Sequence, residues 1–183
     1  MEKHPAVTAD APAKTGKPGP SVQTIPAGDT RTRLVCPDCG YIEYANPKIV
    51  AGAVCTWQGR ILLCRRAIPP AEGKWTFPAG FLELGETTAA GAAREVMEEA
   101  GADVIVGTLL GLYEIAEISQ VNVVYHAEMR SPHFAAGAES LEVRLFDWQE
   151  IPWDDLAFPS VRWFLERYRE GGAPDVKFAA PRR

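Results

Sequence analysis

The 183-residue chain has no apolar run approaching the ~20 residues of a membrane-spanning helix, and no block of lysine and arginine. The first absence speaks against a helical membrane span and the second against non-specific binding to nucleic acid. The balance of 19 basic and 24 acidic residues, net −5, points the same way. The start of the chain lacks the charged, apolar and cleavage regions of a secretory signal. Glu2, Asp10 and the absence of arginine before Arg31 argue against a transit peptide. A cytoplasmic protein without membrane or nucleic-acid partners is expected. Large apolar residues are also scarce in residues 1–30, which hold five prolines and three glycines. Such a segment cannot bury enough surface to offset its ordering entropy, so a flexible tail is predicted there. At roughly 150 residues per domain, the remaining length fits one domain with small appendages.

Cysteine is sparse: Cys36, Cys39, Cys55 and Cys64. Cys36 and Cys39 form a CxxC knuckle, half of a zinc ribbon, but the second pair that would complete four tetrahedral ligands is absent. Pro37 and Gly40 put the knuckle in a turn, without the strand-to-helix setting of a thioredoxin-like pair. A Gln58-Gly59 turn between Ile49–Trp57 and Arg60–Ala67 would pair Cys55 with Leu62 and Ala53 with Cys64. The two cysteines would then be diagonal neighbours, about 7–8 Å apart at Cα, too far for an easy disulfide. Burial as small apolar residues is expected.

Along the chain, residues 31–46 read as a partial ribbon-like appendage. Ile68–Gly73 and Ala79–Glu86 read as loops, Lys74–Phe77 as a short strand, and Thr87–Ala100 as a helix stopped by Gly101. Strands follow at about Asp103–Ile115, Gln120–Met129 and Leu141–Asp147. Phe158, Val161, Phe164, Leu165 and Tyr168 recur at helical spacing, so Pro159–Glu170 is a second helix. Residues 171–183 read as a tail. Strands mixed with two helices and no regular βαβ alternation indicate an α/β fold with a mixed sheet.

At 100° per residue, Ala89, Ala92, Ala93, Val96, Met97 and Ala100 form one apolar stripe on the first helix, opposite Glu95, Glu98 and Glu99. Three carboxylates within an arc of about 100° repel one another near a helix C-terminus, where the macrodipole favours cations. Arg94 is expected to offset one of them. Taken alone, the cluster reads as a solvated acidic face or as a site for a hard divalent cation with oxygen ligands.

The upstream residues decide between these. The pattern Gly80-x5-Glu86-x7-Arg94-Glu95-Val96-x-Glu98-Glu99-x-Gly101-Ala102 contains seven fixed identities, a coincidence expected roughly once in 10⁸ positions. With this pattern the chain resembles the Nudix hydrolases over residues 47–170. Cys36-x2-Cys39-Gly40, Tyr44-x2-Pro47, Glu139-x2-Glu142 and Glu150-x2-Trp153 resemble a subgroup with an N-terminal zinc ribbon that acts on ADP-ribose or FAD. The resemblance implies an α/β/α sandwich with a mixed sheet, preceded by a small degenerate ribbon. It implies Mg²⁺ or Mn²⁺ held by Glu95, Glu98, Glu99 and the Gly80 carbonyl, with Glu86 secondary and Arg94 orienting Glu95. The general base it implies is Glu95 or a later-loop glutamate, here Glu139 with Glu142 second. Implied partners are a nucleotide-derived small molecule and a second copy in a homodimer. Triphosphate or NADH hydrolysis, or nucleotide sensing without catalysis, are the alternatives; the intact box speaks against the last. The SQPWPFPxS signature of NADH pyrophosphatases is absent. With one cysteine pair missing, a full zinc site on Cys36 and Cys39 is not expected. Arg65-Arg66 reads equally as a phosphate contact or a solvated strand end. Trp75, Phe77 and Phe81 read as core or base-stacking residues, and His126 and His133 carry no role.

Overall fold

Runs of β-branched and apolar residues set the strands, and turn formers set their ends. The computed structural model describes residues 19–179, which form two compact units dividing after Asn46. In the first, β1 (Val22–Thr24), β2 (Arg33–Val35) and β3 (Ile42–Glu43) make an antiparallel sheet in that order. The Cys36–Gly40 knuckle links β2 to β3: Gly40 N–H donates to the Cys36 carbonyl at 2.9 Å, and Cys36 N–H to that of Tyr41 at 2.8 Å. Asp29 accepts from Thr30 N–H and Arg31 N–H and pairs with Arg33 at 2.9 Å, while the Arg33 guanidinium lies over the Tyr44 ring.

The tail predicted over 1–30 is therefore corrected at its end, since β1 is a strand. Its side chains are all exposed, as the composition required. The ladder to β2 and the Asp29 turn order it through backbone hydrogen bonds instead of burial. Residues 1–18 lie outside the described residues.

The second unit is built on a mixed sheet of order β10-β5-β4-β9-β8-β11. Two of its inner strands, β4 (Lys48–Trp57) and β5 (Arg60–Arg66), are joined by the predicted Gln58-Gly59 turn with both residues at positive φ. β8 (Val104–Ile115) and β9 (Gln120–Met129) form a long antiparallel pair, and β9 runs parallel to β4. β10 (Ser140–Phe146) pairs with β5.

The β4–β5 pair opens at one end. Cys55 faces Leu62 as expected, but Ala53 does not pair with Cys64: Ala53 N–H donates to the Pro78 carbonyl at 3.1 Å, and Cys64 pairs with Thr76. A wedge fills the fork. β6 (Trp75–Thr76) pairs with β5, and β7 (Ala79–Phe81), predicted as loop, pairs with β4. Pro78 lacks a backbone N–H and sits between them, where no ladder donor is needed.

Helix α1 (Thr88–Ala100) covers one face of the sheet over Ala51, Ala53, Cys55, Leu62 and Ala127. Helix α2 (Pro159–Glu170) covers the other, with Phe164 and Leu165 against Val54, Ile61 and Leu63. The expected α/β/α sandwich is what forms. Thr87 caps α1 by accepting from Ala90 N–H at 3.1 Å, and Gly101 ends it in the left-handed conformation, φ 58°. A second correction falls at the C-terminus, where the predicted tail adds β11 (Asp175–Phe178) in parallel to β8. An exposed edge of β8 offers unpaired backbone groups whatever the side chains are, so hydropathy gave no sign of it. Residues 180–183 lie outside the described residues.

Candidate active site

Two of the three α1 carboxylates do not face away from the protein; only Glu98 is exposed. Glu95 and Glu99 are only 8% and 7% exposed, whereas Met97, assigned to the apolar stripe, is 49% exposed. The amphipathic reading assumed one protein-facing side. β7 lies against the helix flank, and the 134–140 loop packs on its end, so a second side is covered. Ala135 N–H donates to the Ala100 carbonyl at 2.8 Å and Gly137 N–H to that of Glu99 at 3.0 Å. A Cβ at Gly137 would collide with the Glu98 carbonyl, so only glycine permits this approach. Gly137 was not singled out from sequence; the small-residue run Ala135–Ala138 was the available signal.

Gly80 is the second close approach. A Cβ there would overlap both Glu95 carboxylate oxygens, so the box glycine opens the space in which Glu95 lies. The wedge in the β4–β5 fork sets this contact, because Gly80 pairs with Ala51 of β4.

Arg94 is committed more fully than expected. Its Nη1 donates to Glu95 at 2.7 Å and to Glu98 at 2.9 Å. Its Nη2 donates to Glu86 at 2.7 Å and to the Phe81 carbonyl at 3.0 Å, and its Nε donates to Glu86 at 3.2 Å. A guanidinium has five N–H donors, and all are engaged. The expectation that Arg94 offsets one of the helix carboxylates is thus corrected to two, Glu95 and Glu98, with Glu86 besides, because the planar fork reaches the loop and the helix together. Arg94 and then Glu83 N–H hold the Glu86 carboxyl below its ordinary pKa.

Glu99 has a different environment. One oxygen accepts from Ala79 N–H at 3.3 Å. Burial, and then repulsion from Glu95, push its pKa up to about 8, and Ala79 N–H and Arg66 offset this only in part. Burial also raises Glu95, with Arg94 opposing. Glu139 is exposed, yet its charge is felt at both buried carboxylates. Glu142 instead lies along β10, 3.9 Å from Arg65. Among the described residues, no three side chains close into a ready metal cage, because Arg94 draws Glu98 and Glu95 to itself.

The other residues singled out from sequence divide between core and surface. Trp75 and Phe77 are core, packed edge-on to Phe146 and Phe164, while Phe81 is exposed with Lys48 over its ring. His126 bonds the Thr56 hydroxyl at the far end of β4, and burial lowers its pKa. His133 meets Ser131 in an exposed loop. Cys55 and Cys64 are free and buried, as expected. Burial pushes the Cys64 thiol up to about 12. Cys36 is buried and Cys39 exposed. N–H groups of Cys39 and Asp38 lower the Cys36 pKa, but no third ligand joins the pair among the described residues. Two thiols do not fit a closed structural zinc site, which takes four ligands.

Comparison with known proteins places the chain in a family. The family model described as NUDIX domain matches residues 46–166, and the model described as Nudix N-terminal matches residues 18–45. A crystal structure of a NUDIX hydrolase from Nitrosomonas europaea is 44% identical, with TM-score 0.81, over 88% of this chain and 94% of that one. An ADP-ribose pyrophosphatase of Methanocaldococcus jannaschii is 30% identical over 64% of this chain and 71% of its own length. A putative 8-oxo-dGTP diphosphatase of Mycobacterium tuberculosis is 41% identical over 73 residues, which are 36% of this chain and 49% of the relative. With an intact box held between a forked sheet and a capped helix, the chain belongs to the NUDIX family of pyrophosphohydrolases.

Proposed function

We propose that this protein hydrolyses the pyrophosphate bond of a nucleoside diphosphate linked to another moiety, ADP-ribose first and a related dinucleotide such as FAD second, with Mg²⁺ or Mn²⁺. The observation that carries this reading is the buried pair Glu95 and Glu99, one helical turn apart against β7. Two such carboxylates are stable as anions only beside positive charge, and Arg94 has no donor left for Glu99.

The donor set fits a hard divalent cation: all ligands are oxygen, and glycine at position 80 lets the Glu95 carboxylate lie against the strand that carries the Gly80 carbonyl. Glu95, Glu98, Glu99 and the Gly80 carbonyl would hold it, with Glu86 secondary. Such a cation supplies charge compensation for the carboxylates and Lewis acidity toward a pyrophosphate oxygen. The chain's own residues do the rest. Arg94 orients Glu95, and Ala79 N–H holds Glu99. Glu139 is assigned the proton of the water that attacks phosphorus as the bridging P–O bond breaks; Glu142, drawn toward Arg65, ranks second.

The ADP-ribose reading follows the Methanocaldococcus relative, which the chain covers over 71% of its length. Hydrolysis of a nucleoside triphosphate is the second reading, favoured by the name of the Mycobacterium relative, of which this chain spans about half. The test is turnover of ADP-ribose, FAD, NADH and the triphosphates with Mg²⁺ or Mn²⁺, resolved by chromatography. AMP and ribose phosphate released from ADP-ribose at the highest kcat/KM are expected. Turnover of none of them overturns the reading.

A further inference from the structure

Arg94 lies within the acidic cluster but is fully engaged, so a bound diphosphate gains nothing from it. A second guanidinium stands beside the cluster. Arg66 ends β5 and is the ladder partner of Ser140, and the next residue, Ala67, donates its N–H to the Glu139 carbonyl at 2.8 Å. The same loop is fixed to α1 through Gly137 and the Glu99 carbonyl. Arg66 is thus tied to the segment that carries Glu139, and that segment in turn bonds the end of the helix that carries Glu99.

Its side chain is held at one edge only. Nε donates to the Pro70 carbonyl at 2.8 Å and Nη2 to the Ile68 carbonyl at 3.4 Å, and the guanidinium lies 5.4 Å from the centre of the Phe158 ring. Among the described residues neither Nη1 hydrogen has a partner, and no carboxylate pairs with the guanidinium at ion-pair distance. Neighbouring Arg65 differs, since it bonds the Gly73 carbonyl and approaches Glu142. A guanidinium held rigid through Nε and Nη2, with Nη1 free beside buried carboxylates, is suited to a charge-assisted hydrogen bond to a phosphate oxygen. Its charge also reaches Glu99.

We propose that Arg66 binds a non-bridging oxygen of the substrate's diphosphate through its free Nη1 edge, as a substrate-binding residue of the reaction described above, on which this inference rests.

The test is isothermal titration of the full-length protein with magnesium pyrophosphate, alongside kcat and KM for whichever nucleotide is turned over. Arg66→Gln is expected to weaken pyrophosphate binding by about tenfold and to raise KM similarly. Arg66→Lys, which keeps the charge but loses the rigid, directed Nη1 donor, should fall between, and Arg65→Gln should bind as the wild type does. Unchanged pyrophosphate affinity in Arg66→Gln overturns the proposal. So do equal losses in Arg66→Gln and Arg66→Lys with a lowered melting temperature, which is the pattern of a residue that only anchors the 68–73 loop. A wild type without measurable affinity for magnesium pyrophosphate also overturns it. Wild-type binding without turnover of any nucleotide defeats the hydrolase reading alone, because the titration still reads Arg66.

Discussion

Arg94 and Glu95 are adjacent on one helix, about 100° apart around its axis, yet their side chains meet at 2.7 Å. Neighbours at i and i+1 do not ordinarily face each other. They meet here because both turn toward β7, where Gly80 leaves room for the Glu95 carboxylate and the Phe81 carbonyl takes another Arg94 donor. The pair is a product of the strand beside the helix.

Gly80→Ala tests that relationship. The added methyl has to displace a buried carboxylate held by Arg94, so a loss of about 1–3 kcal/mol is expected in denaturant unfolding. Activity should fall with it. A variant as stable and as active as the wild type would show that Glu95 does not depend on this space.

The acid–base behaviour of Glu99 gives a second expectation. Its folded-state pKa, about 8, lies above the ordinary carboxylate value, so the folded protein holds more protons than the unfolded chain between these limits. Stability of the chelator-treated protein should therefore fall as pH rises from about 4.5 to 8. Glu99→Gln should flatten that dependence and leave the melting temperature at pH 8 equal or higher, while lowering kcat by on the order of 10³. A Glu99→Gln enzyme with unchanged kcat would remove Glu99 from the site.

Glu139→Gln separates the base from the charge cluster. Loss of a general base costs about 10²–10⁴ in kcat. Exposed Glu139 contributes little packing, so thermal unfolding should stay close to that of the wild type. If Glu142→Gln shows the larger loss, the assignment passes to Glu142.

The first unit is expected to hold no stoichiometric zinc. Its ordering rests on the β1–β2–β3 ladder, the Asp29–Arg33 pair and the Arg33–Tyr44 contact. Replacing Cys36 and Cys39 together with serine should leave the zinc content of the purified protein unchanged, well below one equivalent per chain, because two thiols do not make a closed site. One tightly held zinc per chain, retained after chelation and lost in the double variant, would contradict this.

Much of the molecule was legible in the residues. The Gln58-Gly59 turn, the Thr87–Gly101 limits of α1 and the apolar spacing of α2 are local: a turn, a cap and a periodicity depend on residues within one or two turns of chain. The box was legible for the same reason, since Glu95, Glu98 and Glu99 share a helix and Glu86 lies just before it. What could not be read was whatever depended on a distant partner. β11 contributes edge hydrogen bonds to β8 that do not require apolar side chains, and β1 orders without burying any.

The sequence by itself determined which groups are present and how they are spaced: three carboxylates and one guanidinium along one helix, with Glu86 and the glycine before it. Tertiary structure decided their state. Opening β4 from β5 admitted β7 to the flank of α1, and Gly137 brought the Glu139 loop to its end. Glu95 and Glu99 are buried as a result, and all five Arg94 donors are taken up. Burial and charge pairing depend on every element that approaches a side chain in space, and a helical wheel contains only one of them.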